Sequence, residues 1–253
     1  MRAAWVAVLL GVLSAGPVAA EEMVLSLSKA RIDITSSFTG EPVVLFGVIE
    51  APGTPLPHYD VVVTVRGPAQ PFTTWRKERV LGLWVNVDRR AFVEAPSYLA
   101  VLSSRPTPEM AEVDTLRQEQ IGLRENRLLQ RLGSDYADVV QNDPFRQAFL
   151  RVKQAQGLYY ENTEGVSFLN PLVFRATIPI PGTAPVGRYE VVVKLLADGT
   201  VLRRGTVALD VGRTDFEQAV ATAAREHAWL YGLGTALLAL AVGLLGNLAF
   251  RRD

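Results

Sequence analysis

The sequence predicts a mainly β protein, an immunoglobulin-like antiparallel sandwich with a helical insertion, followed by one C-terminal transmembrane helix. Three observations carry this. Short apolar runs separated by turn residues recur through the chain, the spacing of sandwiches and barrels. A polar, helix-favouring stretch from about 108 to 157 interrupts them, and the segment from Ala228 to Phe250 has no charged residue.

The strands can be taken in order. Pro42 to Glu50 (PVVLFGVIE) is apolar at successive positions, which predicts a central strand covered on both faces. Tyr59 to Arg66 alternates, with Tyr59, Val61, Val63 and Val65 inward and Asp60, Thr64 and Arg66 outward, the pattern of a strand with one wet face. Val80 to Val87 (VLGLWVNV) sets Leu81, Leu83, Val85 and Val87 against Trp84 and Asn86. Leu172 to Ile180 repeats the alternation, with Arg175 and Thr177 on its polar side. Arg188 to Ala197 and Thr200 to Val211 flank Asp198-Gly199, the two-residue signal of a type I′ hairpin.

Within the insertion two helices are expected. Ile121, Leu128 and Leu132 fall on one helical face, and Gly133 offers a stop. The second is better marked: Asp143 can cap it, Pro144 suits its first position, Phe145, Phe149 and Val152 make an apolar stripe, and Gly157 can end it.

Both ends read as targeting or anchoring segments. Residues 1–20 carry Arg2, an apolar stretch from Ala3 to Leu13 and small residues ending Val18-Ala19-Ala20, the three parts of a secretory signal with cleavage before Glu21. The apolar core is about 11 residues, too short for the roughly 20 that a bilayer requires. Residues 21–212 then form an extracytoplasmic domain. Residues 213–227 are expected as a juxtamembrane helix, opened by the capping box of Thr214 and Glu217. Residues 228–250 make the span and 251–253 a cytoplasmic tail, with Arg251 and Arg252 on the inner side. This places the chain in the inner membrane as a single-pass protein with its N-terminal domain in the periplasm.

Composition removes several functions. Lys plus Arg and Asp plus Glu are 26 each, so no global basic field draws the chain to nucleic acid. Cysteine is absent, which excludes disulfides, thiolate nucleophiles and Cys-ligated metal. The two histidines, His58 and His227, lack the spacing of a metal site, and no cofactor is expected. No nucleophile elbow, P-loop or dinucleotide fingerprint occurs. Ser36-Ser37 and Ser103-Ser104 have no partner base in sequence, and Asp135 with Asp138 reads as a solvated helix face.

The motifs ITSSFTGEPVVLFGVIE, VRGP, WRKERVLGLWVN, PVGRYEVVV and LYGLG follow one another through most of the chain. In this order they resemble the alphaproteobacterial transmembrane protein family (Alph_Pro_TM), which has no established activity. The resemblance implies a membrane-anchored protein encoded near sulfite-exporter-type permeases. It brings no catalytic residues.

Two candidate sites remain. Arg76, Lys77 and Arg79, joined by Arg89 and Arg90, form the densest basic patch, suited to an oxyanion or an acidic partner. The plainer account is a charged edge strand that prevents aggregation. In the final helix Gly232, Ala236, Ala239, Gly243 and Gly246 recur at steps of four and three, with Asn247 beside them. That stripe would let a membrane helix pack closely on a partner. The function expected is a non-catalytic accessory or interaction subunit, its partner an integral membrane protein or a second copy. A periplasmic small-anion binding or sensing module is the alternative, and an enzyme the third reading.

Overall fold

The computed structural model describes residues 22–35, 37–50, 58–132, 135–213, 225 and 228–250. The expected signal segment, Gly133, His227, the tail and almost all of the expected juxtamembrane helix lie outside them. The chain forms two compact units, Met1–Ile32 with Thr39–Val211, and Asp33–Phe38 with Gly212–Asp253.

The first unit holds three sheets. The strands are β1 (Glu22–Leu27), β2 (Arg31–Ile34), β3 (Gly40–Glu50), β4 (Asp60–Arg66), β5 (Ala69–Val80), β6 (Leu83–Pro96) and β7 (Leu99–Ser103). After the short helices α1 (Thr107–Met110) and α2 (Val113–Gln118) come β8 (Leu129–Leu132), β9 (Asp135–Asp138) and helix α3 (Pro144–Ala155). Then follow β10 (Tyr159–Asn162), β11 (Val166–Asn170), β12 (Val173–Pro181), β13 (Gly187–Ala197) and β14 (Thr200–Arg213). One sheet has the order β1-β3-β12-β11, a second β10-β7-β4-β13-β14-β2, and a third β5-β6-β8-β9.

The first two sheets face each other as a sandwich. Val43, Leu45, Ile49, Phe174, Ala176 and Ile178 on one side, and Val61, Val63, Val65, Val191 and Val193 on the other, are all buried. The Tyr98 hydroxyl donates to the Pro179 carbonyl between the layers. A Cβ on Gly165 would strike Leu102, so that crossing tolerates no side chain. The Asp198-Gly199 turn has φ of 48° and 78°, positive at both positions as type I′ requires. The Leu172 to Ile180 alternation holds, with Phe174, Ala176, Ile178 and Ile180 buried.

Several expectations are corrected. The sandwich is not wholly antiparallel: β10 pairs parallel with β7, because the insertion carries the chain across between them and a crossover returns a strand in the same direction. β3 is central in its sheet, yet Phe46 and Val48 are exposed, so only one of its faces is covered. β4 shows the reverse. Asp60 and Thr64 are buried, since the inserted segment covers the outer face of its sheet, with Lys194 donating to the Glu119 carbonyl and Arg66 to the Gln120 side chain.

The helical hairpin is half right. α3 is capped as expected: Asp143 Oδ1 accepts from the Phe145 and Arg146 amides at 2.8 and 3.2 Å, and Gly157 ends it at φ 69°. Phe145 and Phe149 are buried, but Val152 is exposed and Arg146 is buried instead. No helix runs through Ile121 to Leu132. Gly122 turns the backbone at φ 112°, and the Arg124 and Asn126 carbonyls accept from Arg146 Nη2 at 2.8 and 2.5 Å, so they do not serve a helix. The segment goes on to the β8–β9 hairpin, where Asp135 and Asp138 lie on a strand.

In the second unit, helix α4 (Ala228–Phe250) has 23 residues. The expected transmembrane span is overturned: no helix among the described residues is long and apolar enough to cross a membrane.

Candidate functional site

The expected single strand from Val80 to Val87 is a hairpin. Leu81 and Gly82 turn it with φ of 50° and 85°, and Val80 pairs with Leu83. Leucine is no turn residue, and a non-glycine residue at positive φ is uncommon. That is why the alternation of VLGLWVNV read as continuous.

The root of the hairpin is firmly held. Phe72 and Phe92 are cross-strand partners, and the Phe149 ring of α3 lies 5.6 and 5.0 Å from their centroids. Lys153 places its ammonium 3.6 Å above Phe72, and burial there lowers its pKa. Arg90 bridges to Asp143 at 3.2 Å and lies 5.4 Å above the Phe145 ring. Beyond this root, every residue from Trp75 to Arg89 is exposed.

Cross-strand partners share a face of the ladder. Arg79 with Trp84, Lys77 with Asn86 and Trp75 with Arg89 therefore occupy one face, and Val80 with Leu83, Glu78 with Val85 and Arg76 with Asp88 the other. A register shift between Arg76 and Lys77 absorbs Val87. The first face carries two indoles and three cations and no carboxylate. Arg89 lies 5.4 Å above the Trp75 ring, and Arg79 Nε donates to the Gly82 carbonyl at 3.3 Å. On the opposite face Arg76 is paired with Glu78 at 3.3 Å.

The basic patch expected from sequence is thus divided. Lys77, Arg79 and Arg89 come together, Arg76 is turned away, and Arg90 is committed to the root. Missing from the expectation were Trp75, Trp84 and the apolar tip, where Leu81 is fully exposed and Leu83 and Trp84 are each 70% exposed. The local signal was Gly82, a turn-favouring residue inside the uncharged run from Val80 to Val87.

The other candidates fare as follows. Gly232, Ala236, Ala239 and Gly243 lie on α4 and are exposed; the side chains of Gly246 and Asn247 lie outside the described residues. Asp60 is clamped by Arg105 at 2.8 and 2.6 Å. His58 approaches the same carboxylate at 3.4 Å, a neighbour that the sequence reading had not given it. Ser104 Oγ also reaches Asp60, at 3.4 Å. Serine and histidine both contact the carboxylate here, whereas a nucleophilic triad sets histidine between the other two. A cavity of about 430 Å³ is lined by Arg124, Arg146, Arg151 and Glu161 among others. Burial raises the Glu161 pKa. Among the described residues no group of three or more His, Asp or Glu side chains could hold a metal ion.

A family model described as "Putative transmembrane protein (Alph_Pro_TM)" matches residues 22–252. The chain belongs to this family. The description associates Alph_Pro_TM proteins with membranes, and the β-rich body of this one lies within the matched region. No curated protein matches the chain.

Proposed function

We propose that the chain is a non-catalytic, membrane-associated interaction subunit whose β body works in the periplasm beside a membrane partner. The observation that carries this reading is the projecting β5–β6 hairpin. An exposed indole and two exposed leucines on a two-stranded arm form a contact surface of the kind that soluble surfaces seldom keep without a partner. An accessory role beside a sulfite-exporter-type permease agrees with the family resemblance.

The geometry gives less support to a small-anion module at Arg76, Lys77 and Arg79, because Arg76 faces away from the other two and is already paired with Glu78. The test is to place a photo-crosslinking amino acid at Trp84 in the full chain and to irradiate intact membranes. An adduct containing a membrane component, absent when the crosslinker stands at exposed Val140, is the expected result. Adducts of equal yield from both positions would overturn the assignment of the hairpin.

A further inference from the structure

We propose that the β5–β6 hairpin is a lipid-contacting finger: its uncharged tip, Val80 to Val85, enters the headgroup layer of an anionic bilayer while Lys77 and Arg79 bind acidic headgroups and Arg89 adds positive charge behind them. This rests on the reading of the hairpin as an interaction surface and names its partner.

Charge and exposure select the lipid surface over a protein groove. No charged residue occurs from Val80 to Val87, so the leading end is wholly uncharged. The three cations stand behind it on a face without a carboxylate, complementary to a layer of phosphates. At about 3.3 Å per strand residue, Arg79 is about 7 Å, Lys77 about 13 Å and Arg89, opposite Trp75, about 20 Å behind Leu81. Amphipathic elements bury their apolar side roughly 5–10 Å into the headgroup and acyl boundary, which brings Arg79 level with the headgroups when Leu81 is at that depth. Trp84 supplies the amphipathic ring favoured at this interface.

The backbone is also suited to a region poor in water. Pairing continues to Val80 and Leu83, so the strands satisfy each other's amides, and the turn carbonyl of Gly82 is met by Arg79. Leu81 points the same way. A leucine at φ 50° and fully exposed is disfavoured by both backbone and hydration, while Asn or Gly would fit the turn better. An apolar side chain kept at such a position marks a functional contact.

The chain has no cysteine, so Leu83→Cys can carry a single environment-sensitive fluorophore on the full-length protein. Its emission is titrated with vesicles of three parts phosphatidylcholine to one part phosphatidylglycerol, and with phosphatidylcholine alone. Adsorption of other parts of the chain does not change a label at the tip, and Val140→Cys serves as the remote control. The expected result is a blue shift at position 83 with the anionic vesicles only. In the Lys77→Gln, Arg79→Gln, Arg89→Gln variant the apparent affinity should fall at least roughly 30-fold, from about 1 kcal/mol for each of Lys77 and Arg79 at an anionic surface and 1.4 kcal/mol per tenfold. Its melting should match the parent, because the three side chains are exposed. Leu81→Asp should abolish the shift and gives a second route should the triple variant fold poorly. An unchanged emission with anionic vesicles, or an equal shift with phosphatidylcholine alone, would overturn the lipid assignment. If that happens while the Trp84 crosslinker still captures a protein, the interaction reading stands with a protein as occupant; if it captures nothing, both fall.

Discussion

The β4–β13 pair and the outer half of the β5–β6 pair are both antiparallel ladders of alternating side chains, and they end in opposite surroundings. Val63, Val65, Val191 and Val193 are completely buried, whereas Leu81, Leu83 and Trp84 stand in solvent. Full burial of a Val or Leu side chain is worth about 1.5–3 kcal/mol. The central pair gains this from the facing sheet on one side and the inserted segment on the other. The hairpin leaves it unused until something covers it. Alternation therefore decides which residues share a face, and covering layers decide whether that face contributes to stability or remains free for contact.

The largest expected effect comes from removing the support of the covering layer. Arg146, almost fully buried, donates to the Val139, Arg124 and Asn126 carbonyls and to Asp138. Arg146→Ala strands these acceptors and should cost about 3–5 kcal/mol, read as a lower midpoint in urea unfolding. A loss below about 1 kcal/mol would mean that water replaces the guanidinium easily and that the insertion is not fastened there.

The comparison is sharpened by one truncation in each region. Leu195→Ala, at a fully buried position of β13, should cost about 2–5 kcal/mol. Leu83→Ala at the hairpin tip should stay within about 0.5 kcal/mol of the parent, while reducing crosslinking from Trp84 in membranes. Equal costs by chemical denaturation would show that the tip is packed in solution and would end its reading as a free surface.

The smallest expected change has the opposite sign. Leu81→Asn replaces a residue strained at positive φ by one that tolerates it and should raise stability by about 0.5–1 kcal/mol, seen as a slightly higher melting temperature. A fall would mean that the Leu81 side chain already has a stabilising contact.

The hairpin at Asp198-Gly199, the α3 cap at Asp143-Pro144 and the β12 alternation were legible because each depends on neighbours within a few residues. The β5–β6 turn was not, since Leu81 has no local preference for positive φ and only the pairing of the flanking strands imposes it. The site was legible in part for a related reason. Basic residues close in sequence can be counted, but the ladder register sends Lys77 and Arg79 to one face and Arg76 to the other, and it brings Arg89 over Trp75 from across the hairpin.

By itself, the sequence determined the β-rich class, the best-marked turn and helix cap and the absence of thiol chemistry, because composition and short-range backbone preferences suffice for these; the family resemblance was carried by five motifs in order. Tertiary structure alone decided which faces are covered. It buried Asp60 beside Arg105 and Thr64 beneath the insertion, and it left Phe46 and Val48 open. It also used the Arg124 and Asn126 carbonyls to hold Arg146 where a helix had been expected. The physical reason is common to these cases: burial and long-range hydrogen bonding depend on which distant segment arrives, and nothing within a strand's own alternation specifies that.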